Sequence, residues 1–523
     1  MKKIFRSERR RILSNYARLF AGLLLGIWIT RLLLEGGEWL FSIYTLITVG
    51  MGVSIVLTEL LLLVIVPFLG ANVSNEQVVD APKFRDDLFA AFAISLGAAL
   101  LGAAVMILLG WLAFGNLETP DRVSAAWLFL VLRIVMMVVT VALTPAMAVL
   151  LVSSRQPEFN IFLFLVRLGE FLGIAIPLWL LNGEHYAETD ILVQIGAWVA
   201  FFTAATYVLA AIYAFRSGPV LLAGKLRPQL AIVKAMLKRT GWSFLQIISS
   251  NLYVRADVLI VAAFLGAAEV VALGIAIRLM GYVRQATNGL VTGLDATFAN
   301  HGGQRKRQNK DNGQSKSDQL KLLSLSTALQ GGVVFQLSVL IFLLREEIVT
   351  FWVGDILEDA ANTGVIEEIG LLASLMIIGI GFRSLNLGWF SAMNGLGRAK
   401  HFTPWLLPGA IGNASVLGAW GLFAPETLSV MAVGWVFVGF QVATHGFIMP
   451  VVSARSLGCR LQTLVTPLLV PCAIAVATYL VAHGLSMVNE GGSNEFRVAV
   501  VVLTVSLGGM ANLFLVLRRS NHE

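Results

Sequence analysis

Residues 242–297 read WSFLQIISSNLYVRADVLIVAAFLGAAEVVALGIAIRLMGYVRQATNGLVTGLDAT and predict two membrane-spanning helices with unusually many polar side chains. The first helix places Ser243, Gln246, Ser250 and Asp257 at positions i, i+3, i+7 and i+14, which puts all four on one face. Lipid cannot solvate such a stripe, so we expect it to face water, a ligand or another polar surface.

Further polar side chains follow the same two helices. They are Asn251 and Arg255 on the first helix, and on the second helix one stripe of Arg284, Asn288 and Asp295 and another of Arg278, Gln285 and Thr292. We interpret these residues as the lining of a transport cavity whose walls are built by the rest of the chain.

The composition of the 523 residues is that of an integral membrane protein. Hydrophobic residues make up 57% of the chain and charged residues only 13%. The long apolar runs favour helices over the short alternating strands of a membrane barrel. The two cysteines, Cys459 and Cys472, form neither a disulfide framework nor a metal-site spacing.

The apolar runs predict an all-α multipass fold with about fourteen spans, the first of them an uncleaved helix after a basic N-terminus. Lysine and arginine collect in alternate loops, which places both termini in the cytoplasm. The net charge of +7 therefore reflects membrane topology, and nucleic acid is not an expected partner. The predicted organisation is a six-helix bundle at 1–214, a cytoplasmic linker at 215–240, a second six-helix bundle at 241–450, and helices 13 and 14 at 463–517.

Seven arginines and four acids fall within the predicted spans. They are Arg31, Arg133, Arg167, Arg255, Arg278, Arg284 and Arg383, and Glu59, Glu170, Asp257 and Asp295. A central arginine costs about 3 kcal/mol on insertion scales, so seven arginines facing lipid would cost on the order of 20 kcal/mol. This exceeds a typical folding stability of ~5–15 kcal/mol. Most must therefore face water, an acid or a ligand, and the excess of arginine over acid suits an anionic passenger such as a lipid-linked pyrophosphate.

Three of these charges have an expected structural role. Arg167 and Glu170 stand at i and i+3, so they can pair on one helix. Arg31 lies near the end of the first span, where its side chain can extend to the membrane surface. Asp257 is the acid that we most expect to couple transport to H⁺ or Na⁺, with Glu59, Glu170 and Asp295 as further candidates.

Short matches between the two halves of the chain indicate an internal duplication. Arg155 and Phe159 follow the fourth span, and Arg398 and Phe402 follow the tenth span with the same spacing.

Enzyme motifs are absent: the sequence contains no Walker A loop, no HExxH and no GxSxG. The six histidines are scattered, so we expect no metal site and no cofactor.

Four stretches carry a resemblance to a known family. They are Leu33 to Tyr44 (LLEGGEWLFSIY), Asp257 to Ile277 (DVLIVAAFLGAAEVVALGIAI), Ile348 to Gly354 (IVTFWVG) and Asn394 to Lys400 (NGLGRAK). With the fourteen-span layout, these stretches resemble the polysaccharide-exporter branch of the multidrug/oligosaccharidyl-lipid/polysaccharide (MOP) superfamily. That branch includes the Wzx-type O-antigen and exopolysaccharide flippases, and the lipid II flippases are relatives. The chain departs from the family pattern at Ser42, where glycine is usual, and at Ile275, where tyrosine is common.

The resemblance implies two six-helix bundles around an arginine-lined central cavity, alternating access, and passage of an undecaprenyl-pyrophosphate-linked oligosaccharide to the outer leaflet of a bacterial inner membrane. The polysaccharide polymerase machinery would be a further partner. The candidate substrate-binding residues are Arg133, Arg255, Arg278, Arg284, Arg383, Gln246, Asn251 and Asn288. A multidrug/cation antiporter of the same superfamily and a membrane-embedded polysaccharide polymerase or ligase remain as alternatives, although the first favours an acidic cavity and the second a large outer loop.

Overall fold

Long apolar helices make up almost all of the chain in the computed structural model. The structure describes residues 2–70, 73–74, 77–78, 81–116, 119–153, 155–181, 187–217, 230–291, 294, 298, 312–357, 363–488 and 494–522. Within these residues, the only strands are β1 (Val73–Ser74) and β2 (Gln77–Val78), a two-residue antiparallel pair. The predicted all-α multipass class is therefore confirmed.

The chain divides into two compact units, Met1–Val271 and Ala272–Glu523. The helices that begin in the first unit are α1 (Lys2–Glu35), α2 (Glu38–Thr45), α3 (Ser54–Gly70), α4 (Ala81–Ala113), α5 (Pro120–Ala142), α6 (Thr144–Val152), α7 (Gln156–Leu180), α8 (Glu188–Ser217), α9 (Leu230–Phe264) and α10 (Ala267–Val291). A π-helical turn, Leu46–Met51, joins the axis of α2 to that of α3.

The second unit continues with the remaining part of α10 and eleven further helices among its described residues. They are α11 (Asn312–Leu343), α12 (Arg345–Val349), α13 (Asp355–Leu357), α14 (Thr363–Leu385), α15 (Leu387–Gly395), α16 (Ala399–Phe423), α17 (Val430–Gln441), α18 (Met449–Leu457), α19 (Leu461–Val465), α20 (Leu469–Val488) and α21 (Asn494–His522). π-Helical turns at Thr350–Gly354 and Val442–Ile448 interrupt this series.

Thirteen of the described helical segments are long and apolar enough to cross a membrane. The fourteenth predicted span corresponds to α10, which has 25 residues but is not among the thirteen. Its sequence includes Arg278, Arg284 and Gln285, which lower its mean hydropathy.

The internal duplication extends from the sequence to the helix lengths. α5 and α14 each have 23 residues, α6 and α15 each have 9, and α7 and α16 each have 25. Both helix pairs break at a single residue, Leu143 in the first unit and Asn386 in the second. Each of these elements follows its counterpart by 243 positions (386 minus 143). Residues 120–180 and 363–423 are therefore structural counterparts.

The boundary between the two compact units falls after Val271. The predicted linker at 215–240 includes residues 218–229, which lie outside the described part, so the predicted bundle boundaries stay predictions. The position of the boundary reflects the packing of α9. Met236 and Ile247 of α9 join Val56 and Leu60 of α3 in one buried apolar cluster within the first unit. At the other end of the chain, α20 and α21 pack against α11 in the second unit.

Candidate functional site

A group of polar side chains lies within the membrane-spanning part of the first unit, centred on Tyr44. Tyr44 belongs to α2 and is 1% exposed. Its hydroxyl donates a hydrogen bond of 2.5 Å to Oε1 of Glu170, a residue of α7. Arg167 donates from Nη1 to the other carboxylate oxygen, Oε2, and forms an ion pair. The i, i+3 pairing that the sequence predicts is present, and both oxygens of Glu170 accept hydrogen bonds.

Arg133 completes this group from α5. Its guanidinium carbon lies 5.8 Å from the centre of the Tyr44 ring and 6.0 Å from that of Phe129, within the range of cation–π attraction. Tyr44 and Phe129 contact each other at 5.8 Å between ring centroids. Nη1 of Arg133 is buried, and it has no hydrogen-bond acceptor in the described part of the chain. The aromatic rings hold the charge in place but leave a strong donor unused.

The balance of charge in this cluster, which we call the Tyr44 cluster (Tyr44, Phe129, Arg133, Arg167 and Glu170), is positive. Among these five residues, Glu170 has the one carboxylate, whereas Arg133 and Arg167 supply two guanidinium groups. The Glu170 side chain is 18% exposed and that of Arg167 is 38% exposed, so water or a ligand reaches the site. An anion with several oxygens would be held by the Arg133 guanidinium through charge-assisted hydrogen bonds.

Arg255 has a different role from that of Arg133. Its Nη1 donates a 2.8 Å hydrogen bond to the carbonyl oxygen of Val49, which lies in the π-helical turn between α2 and α3. After this turn, Gly52 takes an extended conformation with ψ of 99°. A Cβ atom on Gly52 would lie 2.3 Å from the carbonyl oxygen of Thr48, so glycine is required there. Arg255 therefore ties α9 to a bend in the second predicted span.

The other predicted site residues of α9 lie at different depths. Asp257 is fully buried, with 0% exposure. Gln246 and Asn251 are half-buried, and Asn251 donates to the carbonyl of Ile247 in its own helix at 2.9 Å. The side chain of Ser243 and the residue Asp295 lie outside what the structure describes, so the predictions for both stay predictions. Glu59 on α3 is exposed and is not part of the Tyr44 cluster.

In the second unit, Arg383 is 6% exposed near the end of α14. One turn later, Asn386 donates from Nδ2 to the carbonyl oxygen of His445 at 2.8 Å, across to the π-helical turn after α17. Arg278, Arg284 and Asn288 are all half-buried on α10. The structure thus distributes the predicted cationic residues over both units.

Sequence reasoning missed three residues of interest. Tyr44 was quoted only as part of a motif, yet it bridges α2 to Glu170 and supports Arg133. Its signal was a hydroxyl within a predicted span. Asp87 on α4 is 3% exposed and was not singled out in the sequence. Gln441 on α17 is fully buried, and its amide atoms find no hydrogen-bond partner within the described residues. Among those residues, no group of three or more histidine, cysteine or acidic side chains could hold a metal ion.

Several solved structures superpose on this chain. A multidrug resistance MATE family transporter of the MOP superfamily, in an inward-facing conformation, superposes with a TM-score of 0.63 at 11% identity, covering 86% of this chain and 98% of its own. The lipid II flippase MurJ in an inward closed conformation superposes with a TM-score of 0.62 at 12% identity, covering 97% of this chain and 98% of its own. The fold is that of MOP superfamily transporters.

A third MOP superfamily transporter, from Pyrococcus furiosus, superposes with a TM-score of 0.62 at 12% identity and covers 86% of this chain and 96% of its own. That protein is described as having a binding pocket of reverse polarity that suggests a different function. No family model matches the present chain, and no curated protein matches it in sequence. The likeness to MOP transporters therefore lies in the fold alone.

Proposed function

We propose that this protein is a multipass transporter, not an enzyme, that flips an undecaprenyl-pyrophosphate-linked oligosaccharide from the inner to the outer leaflet of the bacterial inner membrane. The observation that carries the proposal is the Arg133 guanidinium, which sits on two aromatic rings within a membrane span and keeps a buried Nη1 without an acceptor in the described residues. A passing pyrophosphate would supply that acceptor.

The charge of the Tyr44 cluster favours an anionic passenger over a cationic drug. A site for a lipophilic cation needs a carboxylate that is available for pairing. Glu170 already accepts from Tyr44 and from Arg167, so its charge is largely compensated. Arg133 offers the opposite: a positive charge whose donor Nη1 has no acceptor among the described residues. The multidrug antiporter is therefore the weaker candidate, although its fold is equally similar.

The extent of the structural matches supports a lipid-linked passenger. The lipid II flippase covers 97% of this chain, whereas the MATE transporter covers 86%. The difference is comparable in length to the last two spans, Leu461–Met487 and Asn494–Val516. An inner-membrane location with both termini in the cytoplasm, and cooperation with polysaccharide polymerase machinery, belong to the same proposal and rest on the charge distribution of the loops.

Two acids could couple transport to H⁺ or Na⁺. Asp257 is fully buried on α9, and Glu170 of α7 accepts a hydrogen bond from Tyr44 of α2. A proton or cation at either acid would change the charge balance beside an arginine, because Arg255 lies on the same helix as Asp257 and Arg167 pairs with Glu170. We expect such a change to alter the affinity for an anionic passenger between the two sides of the membrane.

The decisive experiment measures the sidedness of the lipid-linked oligosaccharide in cells that lack this protein. Intact spheroplasts are probed with a lectin or glycosidase that reaches only the outer face. The deletion should leave the precursor on the cytoplasmic face, and the wild-type gene should restore its passage. Arg133→Gln should reduce that passage at least tenfold, roughly the loss expected for one charge-assisted interaction of about 1.5–3 kcal/mol.

Two variants serve as matched controls. Arg133→Lys keeps the charge but removes the planar fork, so we expect partial activity. Arg122→Gln removes an arginine of the same helix that lies outside the Tyr44 cluster, pairs with Glu188 at 3.9 Å and stacks on Trp39, and it should leave transport unchanged. If the precursor reaches the outer face without this protein, the flippase proposal is wrong. If Arg133→Gln transports normally, the Tyr44 cluster is not the binding site.

A further inference from the structure

A second cationic site lies in the second unit and shares no residue with the Tyr44 cluster. A cavity of about 620 Å³ opens between the start of α11, the start of α16 and the end of α18. Its lining includes Gln319, Arg398, His401, Trp405, Arg455 and Ser456, and none of its described lining residues is acidic. We call this cavity the Arg398 bowl. It lies beside the 394–400 loop, on the predicted cytoplasmic side of the membrane.

The polar groups of the bowl are only partly satisfied by the protein itself. Arg398 donates from Nη1 to the carbonyl oxygen of Ser456, which fixes one guanidinium against the cavity wall. Arg455 is exposed at the rim. Two buried atoms in the lining, Oγ of Ser456 and Nε2 of Gln319, have no hydrogen-bond partner in the part of the chain that the structure describes. An amide donor and a hydroxyl therefore remain for an occupant.

The first unit shows that the fold does not require this opening. Arg155 is the counterpart of Arg398, since each precedes a 25-residue helix as its N-cap residue. Arg155 donates to the hydroxyl of Tyr213, and Arg398 donates to Ser456, in each case across 58 positions of sequence. The Tyr213 ring covers Arg155 with 5.7 Å between the guanidinium carbon and the ring centre. Where the first unit has a tyrosine ring, the second has a serine and an open cavity.

We propose that the Arg398 bowl binds a phosphate group. Two guanidinium groups, an imidazole, a hydroxyl and an amide donor surround it, and a tetrahedral anion with several oxygens can accept from donors in these different directions. α16 also begins at the bowl and has no side-chain cap, so the positive end of its dipole favours an anion there. The phosphate belongs either to an anionic lipid of the inner leaflet or to a soluble phosphate compound of the cytoplasm. This site is separate from the proposed transport site.

The test uses the purified full-length protein with Arg133→Gln introduced, so that phosphate bound at the Tyr44 cluster does not contribute. In the soluble arm, the midpoint of thermal unfolding is followed against inorganic phosphate at constant ionic strength. In the lipid arm, native mass spectrometry counts the phosphatidylglycerol molecules retained from nanodiscs of phosphatidylcholine and phosphatidylglycerol. Each arm compares Arg455→Gln, which removes a bowl charge, with Arg460→Gln, which removes an exposed charge five positions away that does not line the bowl.

We expect Arg455→Gln to weaken binding about tenfold in one arm, the effect of one charge-assisted hydrogen bond, and Arg460→Gln to change it less than about twofold. Ser456→Tyr introduces the residue of the first unit and should block the bowl sterically without removing a charge. A response in the soluble arm alone identifies a cytoplasmic phosphate compound, and a response in the lipid arm alone identifies a headgroup. Equal effects of Arg455→Gln and Arg460→Gln, or no binding in either arm, would overturn the proposal.

Discussion

The two repeats of this chain share a backbone but keep their charges in different places. In the first unit, Arg133 and Glu170 lie within the membrane-spanning helices α5 and α7. Their counterparts 243 positions later (376 minus 133) are Met376 and Asn413, which are both 0% exposed. The position that matches Arg167 is Ala410, also fully buried. At these three positions the second repeat is therefore buried and uncharged, whereas the first repeat carries charges of the Tyr44 cluster there.

At the ends of the same helices the relation is reversed. In the first unit the Tyr213 ring covers Arg155, and in the second unit the Arg398 bowl is open. Helix lengths of 23, 9 and 25 residues are preserved in both copies, so the backbone did not change with the charges. Side chains alone therefore decide which part of each repeat is accessible to an anion.

The largest effect should follow from moving the charge of the first repeat into the second. Met376→Arg places an arginine at a fully buried position of α14, without the aromatic platform that supports Arg133. Insertion alone costs about 3 kcal/mol, and overpacking adds about 1–3 kcal/mol. We expect no monodisperse protein on size-exclusion chromatography. Met376→Leu conserves volume and should behave as wild type, and normal folding of Met376→Arg would contradict the burial of this position.

A smaller effect should distinguish two glycines that occupy matching places. Gly281 follows Gly52 by 229 positions, the spacing that also separates Gly37 from Gly266, two glycines with positive φ before helices α2 and α10. Alanine at Gly52 would bring its Cβ to 2.3 Å from the Thr48 carbonyl oxygen, whereas the Cβ at Gly281 would meet no atom within 4 Å.

We therefore expect Gly52→Ala to destabilise the protein by about 1–3 kcal/mol, because the backbone of the bend must move. Gly281→Ala should be neutral or stabilise it by up to about 1 kcal/mol, because alanine favours a helix interior. The midpoint of thermal unfolding in detergent measures both. Equal shifts for the two variants would show that the bend at Gly52 is not maintained in the protein.

The sequence predicted those features that depend on local spacing. The apolar runs predicted the spans, the i, i+3 spacing predicted the Arg167–Glu170 pair, and a matching arginine and phenylalanine predicted the duplication. Contacts between distant segments could not be predicted from the sequence. Tyr44 meets Glu170 across 126 positions, and no local period encodes that approach. Likewise, Arg255 donates to the carbonyl oxygen of Val49 across 206 positions, and the prediction that it lines a cavity stays a prediction.

The prediction that α9 opens the second bundle rested on the break at 215–240 after the sixth span, and it stays a prediction. One face of α9 carries Met236 and Ile247, and these residues bury apolar surface against α3 in the first unit. Burial of apolar surface decides which unit a helix joins, and a polar stripe says only that one side of it is not in lipid.

Neutralising the acid of the Tyr44 cluster should have a moderate effect on stability. Glu170→Gln can still accept from Tyr44, but it removes the negative charge that pairs with Arg167. We expect a loss of about 1–2 kcal/mol, seen as a lower midpoint of thermal unfolding. Glu188→Gln is the control, since its ion pair with Arg122 spans 3.9 Å at the surface and should contribute less than about 1 kcal/mol. The same loss in both variants would remove the distinction between the cluster and an ordinary surface pair.

The smallest effect should come from the closed corner of the first repeat. Tyr213→Phe removes the hydroxyl that accepts from Arg155 at 3.1 Å but keeps the ring that covers the guanidinium and lies 5.7 Å from the Phe162 ring. Because water can replace the hydroxyl at this partly exposed position, we expect a loss of only about 0.5–1 kcal/mol in thermal unfolding. Tyr213→Ser also removes the ring and should do more: it should destabilise the corner further and create a weak phosphate site at Arg155. If Tyr213→Ser binds no phosphate while the Arg398 bowl does, then His401 and Arg455, and not the missing ring, define the second site.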